Sequence, residues 1–311
     1  MRKLILIAEM ANLRINLCGL TLKNPTVLAA GILGNTGEIL KRISKHAGAV
    51  TTKSISLKPR DGHETPNIVE LENKSLLNAM GLPNPGAENF LQELKIAKSG
   101  AESPIIVSCV GFSVDEFVKV AEKIGNLGDA VELDLSCPNT KGTLEFSQSP
   151  EVAAEVVSKV KKIVKKPVFA KLGPNVNKIS EIAVACEKAG ADGITAINTM
   201  PALAIDVETG KVILTNLSGG LSGAALRPVA VRCIYDIYEN VRIPVIGTGG
   251  VLSGEDAAEL MMAGATAVGM GTAAINEGPN AFKRISNELD KFLHRKGYKS
   301  AAELTGLAHK R

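Results

Sequence analysis

Four groups of residues in this chain carry chemistry that their surroundings do not explain. Lys171 stands inside the apolar run Val168 to Leu172. A buried ammonium there is costly unless it meets an anionic or electron-rich partner; the plain alternative is a strand-end lysine whose stem covers apolar surface and whose head reaches water. Cys137, in Leu135-Ser136-Cys137-Pro138-Asn139, can act as a general base if its thiolate is accessible and its pKa suits the working pH, or it can be a packed thiol. Cys109 lies near another strand end, so position alone does not choose between the two. Asn78, Asn139 and Asn198 each offer a donor and an acceptor, which suits the alternating N–H and C=O edge of a pyrimidinedione ring. Loop asparagines are also ordinary turn residues, the reading preferred for Asn84. Last come two glycine clusters, Gly247-Thr248-Gly249-Gly250 and Gly269-Met270-Gly271-Thr272. Their backbone N–H groups can approach a phosphate, and a helix that follows adds its positive end.

These residues need a frame that brings them together. Short apolar runs alternate with helical stretches, as βαβ units do when parallel strands are buried on both faces. The predicted strands are Val27 to Ala30, Ala49 to Lys53, Ile105 to Cys109, Val131 to Leu135, Val168 to Leu172, Gly193 to Ile197, Pro244 to Gly247 and Ala267 to Met270. Helices are expected to start near Gly37, Gly86, Ser113, Ser149, Asn177, Gly223, Ser253 and Pro279, several of them at capping residue types. Eight such units without a Pro/Gly-rich linker predict an α/β fold of the TIM (β/α)8-barrel type in one domain, 1–311. An open doubly wound sheet would need a Gly-rich turn after its first strand, and none is there. A hairpin, Leu13 to Leu17 and Leu20 to Asn24 about Cys18-Gly19, is expected to cap one end.

In that frame Lys53-Ser54, Ser108, Asp134, Lys171 and Asn198-Thr199 all fall at C-terminal strand ends, where barrel active sites are built. Two long connections, Ser54 to Pro85 and Thr199 to Ser222, would project over the same mouth. The second carries a hairpin tip at Glu208-Thr209-Gly210-Lys211. A phosphate site after the seventh and eighth strands is a recurrent barrel feature. A reduced flavin anion would be a fitting partner for Lys171.

Composition narrows the classes. Of 311 residues, 45% are hydrophobic and 22% charged, enough apolar surface for a large core and no sign of disorder. The net charge of +4, aromatic content of 3% and lack of Trp leave little for nucleic acid to bind. Five scattered cysteines, Cys18, Cys109, Cys137, Cys186 and Cys233, form no C-x-x-C pair. They argue against a disulfide framework, against a zinc, iron–sulfur or other metal site in this chain, and for a reducing cytoplasmic compartment. The apolar run Leu4 to Ala8 is too short for a spanning helix or a signal segment. Residues 1–12 read as a ragged extension, with Met10 a candidate initiator.

The chain resembles class 1 dihydroorotate dehydrogenases from about Asn12 onward. The resemblance rests on Thr52-Lys53-Ser54, the run Asn78-Ala79-Met80-Gly81-Leu82-Pro83-Asn84-Pro85-Gly86, Leu135 to Asn139, Ala170-Lys171-Leu172, Ile197-Asn198-Thr199, Gly219-Gly220-Leu221-Ser222-Gly223, Gly249-Gly250 and Gly271-Thr272. It implies a non-covalent FMN held by Ala30, Gly31, Lys53, Ser54, Ser108, Asp134, Lys171, Ile197, Gly223, Gly249, Gly250, Gly271 and Thr272. It further implies a substrate site of Lys53, Asn78, Ala79, Met80, Gly81, Leu82, Asp134, Asn139, Asn198 and Thr199. In that family Cys137 would take the C5 proton of dihydroorotate while hydride passes from C6 to the flavin.

Branches of the family differ in electron acceptor. In class 1B the subunit pairs with an FAD- and iron–sulfur-containing subunit that passes electrons to NAD, in a heterotetramer built on a homodimer; class 1A is a homodimer that reduces fumarate. Met80 to Asn84 reads like class 1A, whereas Asn84-Pro85-Gly86 and Thr140-Lys141-Gly142 look more like class 1B, the expected assignment. No long amphipathic N-terminal extension of the membrane-bound class 2 kind precedes the barrel, so a membrane quinone is not the expected acceptor. The chain departs from the family pattern at Asp134 and Ser108, where relatives carry Asn. An ionised Asp134 would repel a substrate carboxylate or a reduced-flavin anion, whereas a protonated one would imitate the amide's donor. Rival expectations are a flavin-dependent dehydrogenase of uracil-like dihydropyrimidines, a sugar-phosphate isomerase or aldolase using Lys171, and a non-catalytic scaffold.

Overall fold

Eight parallel strands, Thr26–Leu28, Ala49–Thr51, Ile105–Cys109, Ala130–Asp134, Val168–Leu172, Gly193–Ala196, Val245–Thr248 and Ala267–Met270, close into a barrel in sequence order. They are called the first to eighth barrel strands below. The computed structural model from which these positions come describes residues 11–136, 146 and 148–310. Nearly every strand residue is buried, because helices cover the barrel outside and side chains fill it inside. That two-sided burial is why the strands read as unbroken apolar runs.

A helix follows each strand: Gly37–Ser44, Gly86–Lys98, Val114–Ile124, Pro150–Lys161, Ile179–Lys188, Arg227–Asn240, Gly254–Met262 and, after the eighth, Thr272–Glu277 with Asn280–Lys296. The hydroxyls of Thr36, Ser113, Ser149 and Ser253 cap four of them by accepting a first-turn N–H, which satisfies donors that the helix itself cannot. The third, fifth and eighth strands have their predicted bounds, and the others shift by one or two residues. The helix expected near Asn177 begins at Ile179. The one expected near Gly223 begins at Arg227, behind a short 3-10 turn, Ala224–Leu226. Thr272–Glu277 is an additional helix.

Glycines set how the barrel fills. A Cβ on Gly193 would strike the Phe169 ring, and one on Gly269 would strike the Thr248 hydroxyl, so two bare strand positions make room for two inward side chains. The predicted hairpin forms from Ile15–Leu17 and Leu20–Leu22 and caps the N-terminal end. Leu17 and Leu22 are fully buried, and the Cys18 thiol donates to the carbonyl of Asp192, 3.0 Å away, just ahead of the sixth strand.

The two long connections do more than lie side by side. Ile68–Leu71 and Ser75–Asn78 from the first pair with Gly219–Gly223 and Met200–Ala202 from the second in one antiparallel sheet. Gly220 sits opposite Asn78. Periodicity within each loop does not reveal this cross-loop pairing. The expected hairpin tip forms between Ile205–Asp206 and Lys211–Val212, its turn held by Asp206 Oδ1 accepting from the N–H groups of Glu208 and Thr209.

Candidate active site

The C-terminal ends of the barrel strands and the two-loop sheet enclose a cavity of about 260 Å³. Lys53 and Ser54 follow the second strand directly, with Lys53 7% and Ser54 2% exposed. Asp134 ends the fourth strand and lies opposite Lys171 in register; both face the cavity and both are 5% exposed. Ser54 Oγ donates to Asp134 Oδ2 at 3.0 Å, and Asn198 Nδ2 donates to Asp134 Oδ1 at 3.3 Å. Residues from the second, fourth and sixth units thus converge on one carboxyl.

Alternation along the fourth strand places Glu132 on the same inward side as Asp134, one layer deeper. It is 2% exposed. Glu132 Oε1 lies 3.9 Å from Lys171 Nζ and accepts from Ser108 Oγ at 3.2 Å. Burial pushes the Glu132 carboxyl above the usual range; the Lys171 ammonium opposes that shift and Asp134 adds to it. The sequence reading missed Glu132, although the signal that exposed Lys171, a charge inside an apolar strand, applies equally to it. Ser108 itself does not line the cavity. It is fully buried behind Ser54, and their hydroxyls are 3.1 Å apart.

The opposite wall is mostly backbone. Ala30, Gly31, Ile197, Gly223, Gly249, Gly250, Gly271 and Thr272 all border the cavity. Gly249 and Gly250 have φ of 134° and 77°, a region costly for residues with a Cβ. A Cβ on Gly250 would also meet the backbone of Arg227. Behind this turn Asp256 accepts from Leu252 N at 3.0 Å and pairs with Arg227. Arg284 reaches from the last long helix to hold both glycine segments: it bonds the Leu252 carbonyl at 3.1 Å and grips Glu277 with two contacts of 2.7 and 2.8 Å. A second carboxylate, Glu288, bonds Arg284 and Gly254 N.

The two-loop sheet supplies the roof. Asn78, Met80, Gly81, Leu82, Asn198 and Thr199 line the cavity. Asn78 Nδ2 donates to the Gly220 carbonyl at 3.2 Å, which ties one loop to the other. Ala79 points away, packing with Leu77 and Leu214, so of the predicted substrate group it alone among the described residues sits off the cavity. Cys137 and Asn139 lie outside the described residues. Cys109 is fully buried, and burial drives its thiol far above the ordinary range; it is unsuited to hold a thiolate.

The sequence profile of the family described as "Dihydroorotate dehydrogenase" matches residues 12–293. The chain belongs to the dihydroorotate dehydrogenase family. It is an oxidoreductase, and oxidation of dihydroorotate is the reaction for which its family is named. Among curated relatives, the "Dihydroorotate dehydrogenase B (NAD(+)), catalytic subunit" of Pyrococcus abyssi is 48% identical over 300 residues, covering 96% of this chain and 99% of the relative. The protein of the same name from Methanocaldococcus jannaschii is 47% identical over 302 residues, covering 96% and 98%. Ligand-free dihydroorotate dehydrogenase of Eimeria tenella superimposes with a TM-score of 0.86 at 24% identity, over 96% of this chain and 92% of that one, a likeness of fold. Among the described residues of this family member, no helix is long and apolar enough to cross a membrane.

Proposed function

We propose that this chain oxidises dihydroorotate to orotate in pyrimidine biosynthesis, with FMN seated in the cavity described above and electrons passed to NAD through a partner subunit. The observation that carries the reading is the joint lining of one cavity by the glycine turns, the buried Lys171 and the carboxamides of Asn78 and Asn198. The residues fit the cofactor. Among the described residues, a Cβ on Gly31 would come no nearer than 4.0 Å to Lys53 Nζ and one on Gly271 would make only an ordinary contact with Ile32 Cγ1 at 3.6 Å, so a ring or phosphate can approach the backbone there closely. Gly249-Gly250 and Gly271-Thr272 would hold the phosphate, Ala30, Gly31, Ile197 and Gly223 the ring and ribitol, and Lys171 with Lys53, Ser54 and Asp134 the polar edge. When bound, FMN supplies the hydride acceptor.

The protein's own groups do the rest. Asn78, Asn139 and Asn198 orient the pyrimidine ring through paired donors and acceptors, with Lys53 binding the substrate carboxylate and Met80 to Leu82 and Thr199 closing over it. Cys137 takes the C5 proton; Cys109, buried with a raised pKa, is not a competing base. Lys171 supplies positive charge against the developing negative charge of the acceptor ring.

The curated relatives named as NAD(+) catalytic subunits favour class 1B, hence an FAD- and iron–sulfur-containing partner, and a heterotetramer built on a homodimer. The cytoplasm suits its scattered cysteines. Asp134 favours a second reading, a uracil-like dihydropyrimidine substrate, because an ionised carboxyl would repel orotate. The test is to record the visible spectrum of the purified protein and add dihydroorotate without oxygen. Bleaching of a flavin band supports the proposal. A flavin that stays oxidised with dihydroorotate but is bleached by dihydrouracil supports the second reading, and a colourless protein overturns both.

A further inference from the structure

Ser54 and Ser108 bridge the two carboxyls of the fourth barrel strand. Asp134 Oδ2 lies 3.0 Å from Ser54 Oγ, the two serine oxygens lie 3.1 Å apart, and Ser108 Oγ lies 3.2 Å from Glu132 Oε1. Three oxygen–oxygen contacts call for three hydrogens, and each serine carries one. With both carboxyls ionised, two hydrogens serve three contacts. Whichever contact goes without sets lone pairs against each other, among residues 0 to 5% exposed where such a mismatch is expensive. A carboxylic O–H supplies the third hydrogen, and every contact is then satisfied.

We propose that Glu132 and Asp134 hold one proton between them, relayed through Ser108 and Ser54. In one state the Glu132 O–H donates to Ser108, Ser108 donates to Ser54, and Ser54 donates to the Asp134 carboxylate. Shifting one hydrogen along each contact breaks the O–H bond on Glu132 and forms one on Asp134, which then donates to Ser54, Ser54 to Ser108, and Ser108 to the Glu132 carboxylate. Net charge is unchanged. The negative charge moves from the cavity wall to the barrel interior, where Lys171 Nζ stands 3.9 Å from Glu132.

The surroundings on each side suit both states. Glu132 is faced by Lys171 from the fifth strand and by Thr195 from the sixth. Burial favours its protonated form and Lys171 its ionised form, so opposing influences bring the two states closer in energy. Asp134 shares the cavity wall with Lys53 and Lys171 and accepts from Asn198 at 3.3 Å. An anion entering the cavity meets a neutral Asp134 in the second state and selects it. This last step rests on the orotate reading; the shared proton does not.

Infrared difference spectra of the purified full chain in H2O and D2O at neutral pH test the pair. The wild type is expected to show one exchange-sensitive carboxylic C=O band attributable to this site. Glu132→Gln and Asp134→Asn should each abolish it, because either amide N–H supplies the third hydrogen and leaves the other carboxyl ionised. Two variants keep the test sound if one fails to fold. A wild type without such a band, or a band that persists in both variants, overturns the proposal. Orotate should shift the band in the wild type but not in Ser108→Ala, where the relay is cut; an equal shift in both overturns the relay. Orotate that leaves the flavin spectrum and the band alike untouched counts against the substrate reading, while the band itself still reports the shared proton.

Discussion

Glu132 and Lys171 meet inside the barrel, Oε1 and Nζ 3.9 Å apart, with side chains 3% and 7% exposed. Burial holds the folded-state pKa of Glu132 above its ordinary value. As pH rises above about 4.3, the unfolded chain releases this proton while the folded chain keeps it. Stability from this site therefore falls with rising pH, by at most about 1.4 kcal/mol per pH unit, until the folded carboxyl also ionises. Glu132→Gln removes the titration, so denaturant melts between about pH 5 and 7 should show the variant gaining on the wild type as pH rises. A difference that stays constant would mean that Glu132 is already ionised in the folded chain.

Lys171→Ala should weaken FMN binding or slow its reduction by dihydroorotate. Loss of a charged hydrogen-bond donor costs about 1.5–3 kcal/mol, roughly tenfold to a hundredfold in affinity or rate. Fluorescence titration of the apoprotein and anaerobic stopped flow separate the two effects. Normal values in both would remove Lys171 from the site.

Cys137→Ala should keep FMN and lose dihydroorotate oxidation near neutral pH by about a hundredfold or more, the usual contribution of a positioned base. Anaerobic flavin bleaching measures it. Unchanged bleaching would refute the assignment of the base.

Gly250→Ala places a Cβ where φ is 77° and where Arg227 N and Cα lie 2.9 Å away. The backbone conformation alone costs about 1–2 kcal/mol, so both Tm and FMN affinity should fall. If calorimetry finds Tm unchanged, the turn has room that its geometry does not indicate.

Arg284 holds the Leu252 carbonyl and Glu277 at once, tying the two glycine segments together behind the cavity. Arg284→Ala should weaken FMN on the order of tenfold, about 1.4 kcal/mol, while riboflavin, which has no phosphate, binds as before. Equal losses for both ligands would assign Arg284 a general structural role instead.

The barrel was legible because parallel strands buried on both faces leave an unbroken apolar signature, and the polar residues at their ends were conspicuous against it. Lys53, Ser54, Asp134, Lys171 and Asn198 all reach the cavity wall from those predicted ends. Glu132 escaped because it lies mid-strand, where attention to strand ends does not look. Ser108 was placed one layer too high: alternation fixes a side, whereas depth depends on how neighbouring strands stagger. The cross-loop sheet was invisible, since antiparallel pairing between residues about 140 positions apart, such as Leu77 and Leu221, leaves no local periodicity.

That sheet joins the two long connections into one structural unit. Exchanging either connection alone would put the register across Ser75–Asn78 and Gly219–Gly223 at risk, and with it the placement of Asn78 and Thr199. Substrate preference at this mouth is therefore expected to be exchanged between relatives as a matched pair of loops, and residues facing each other across Ser75–Asn78 and Gly219–Gly223 to change together.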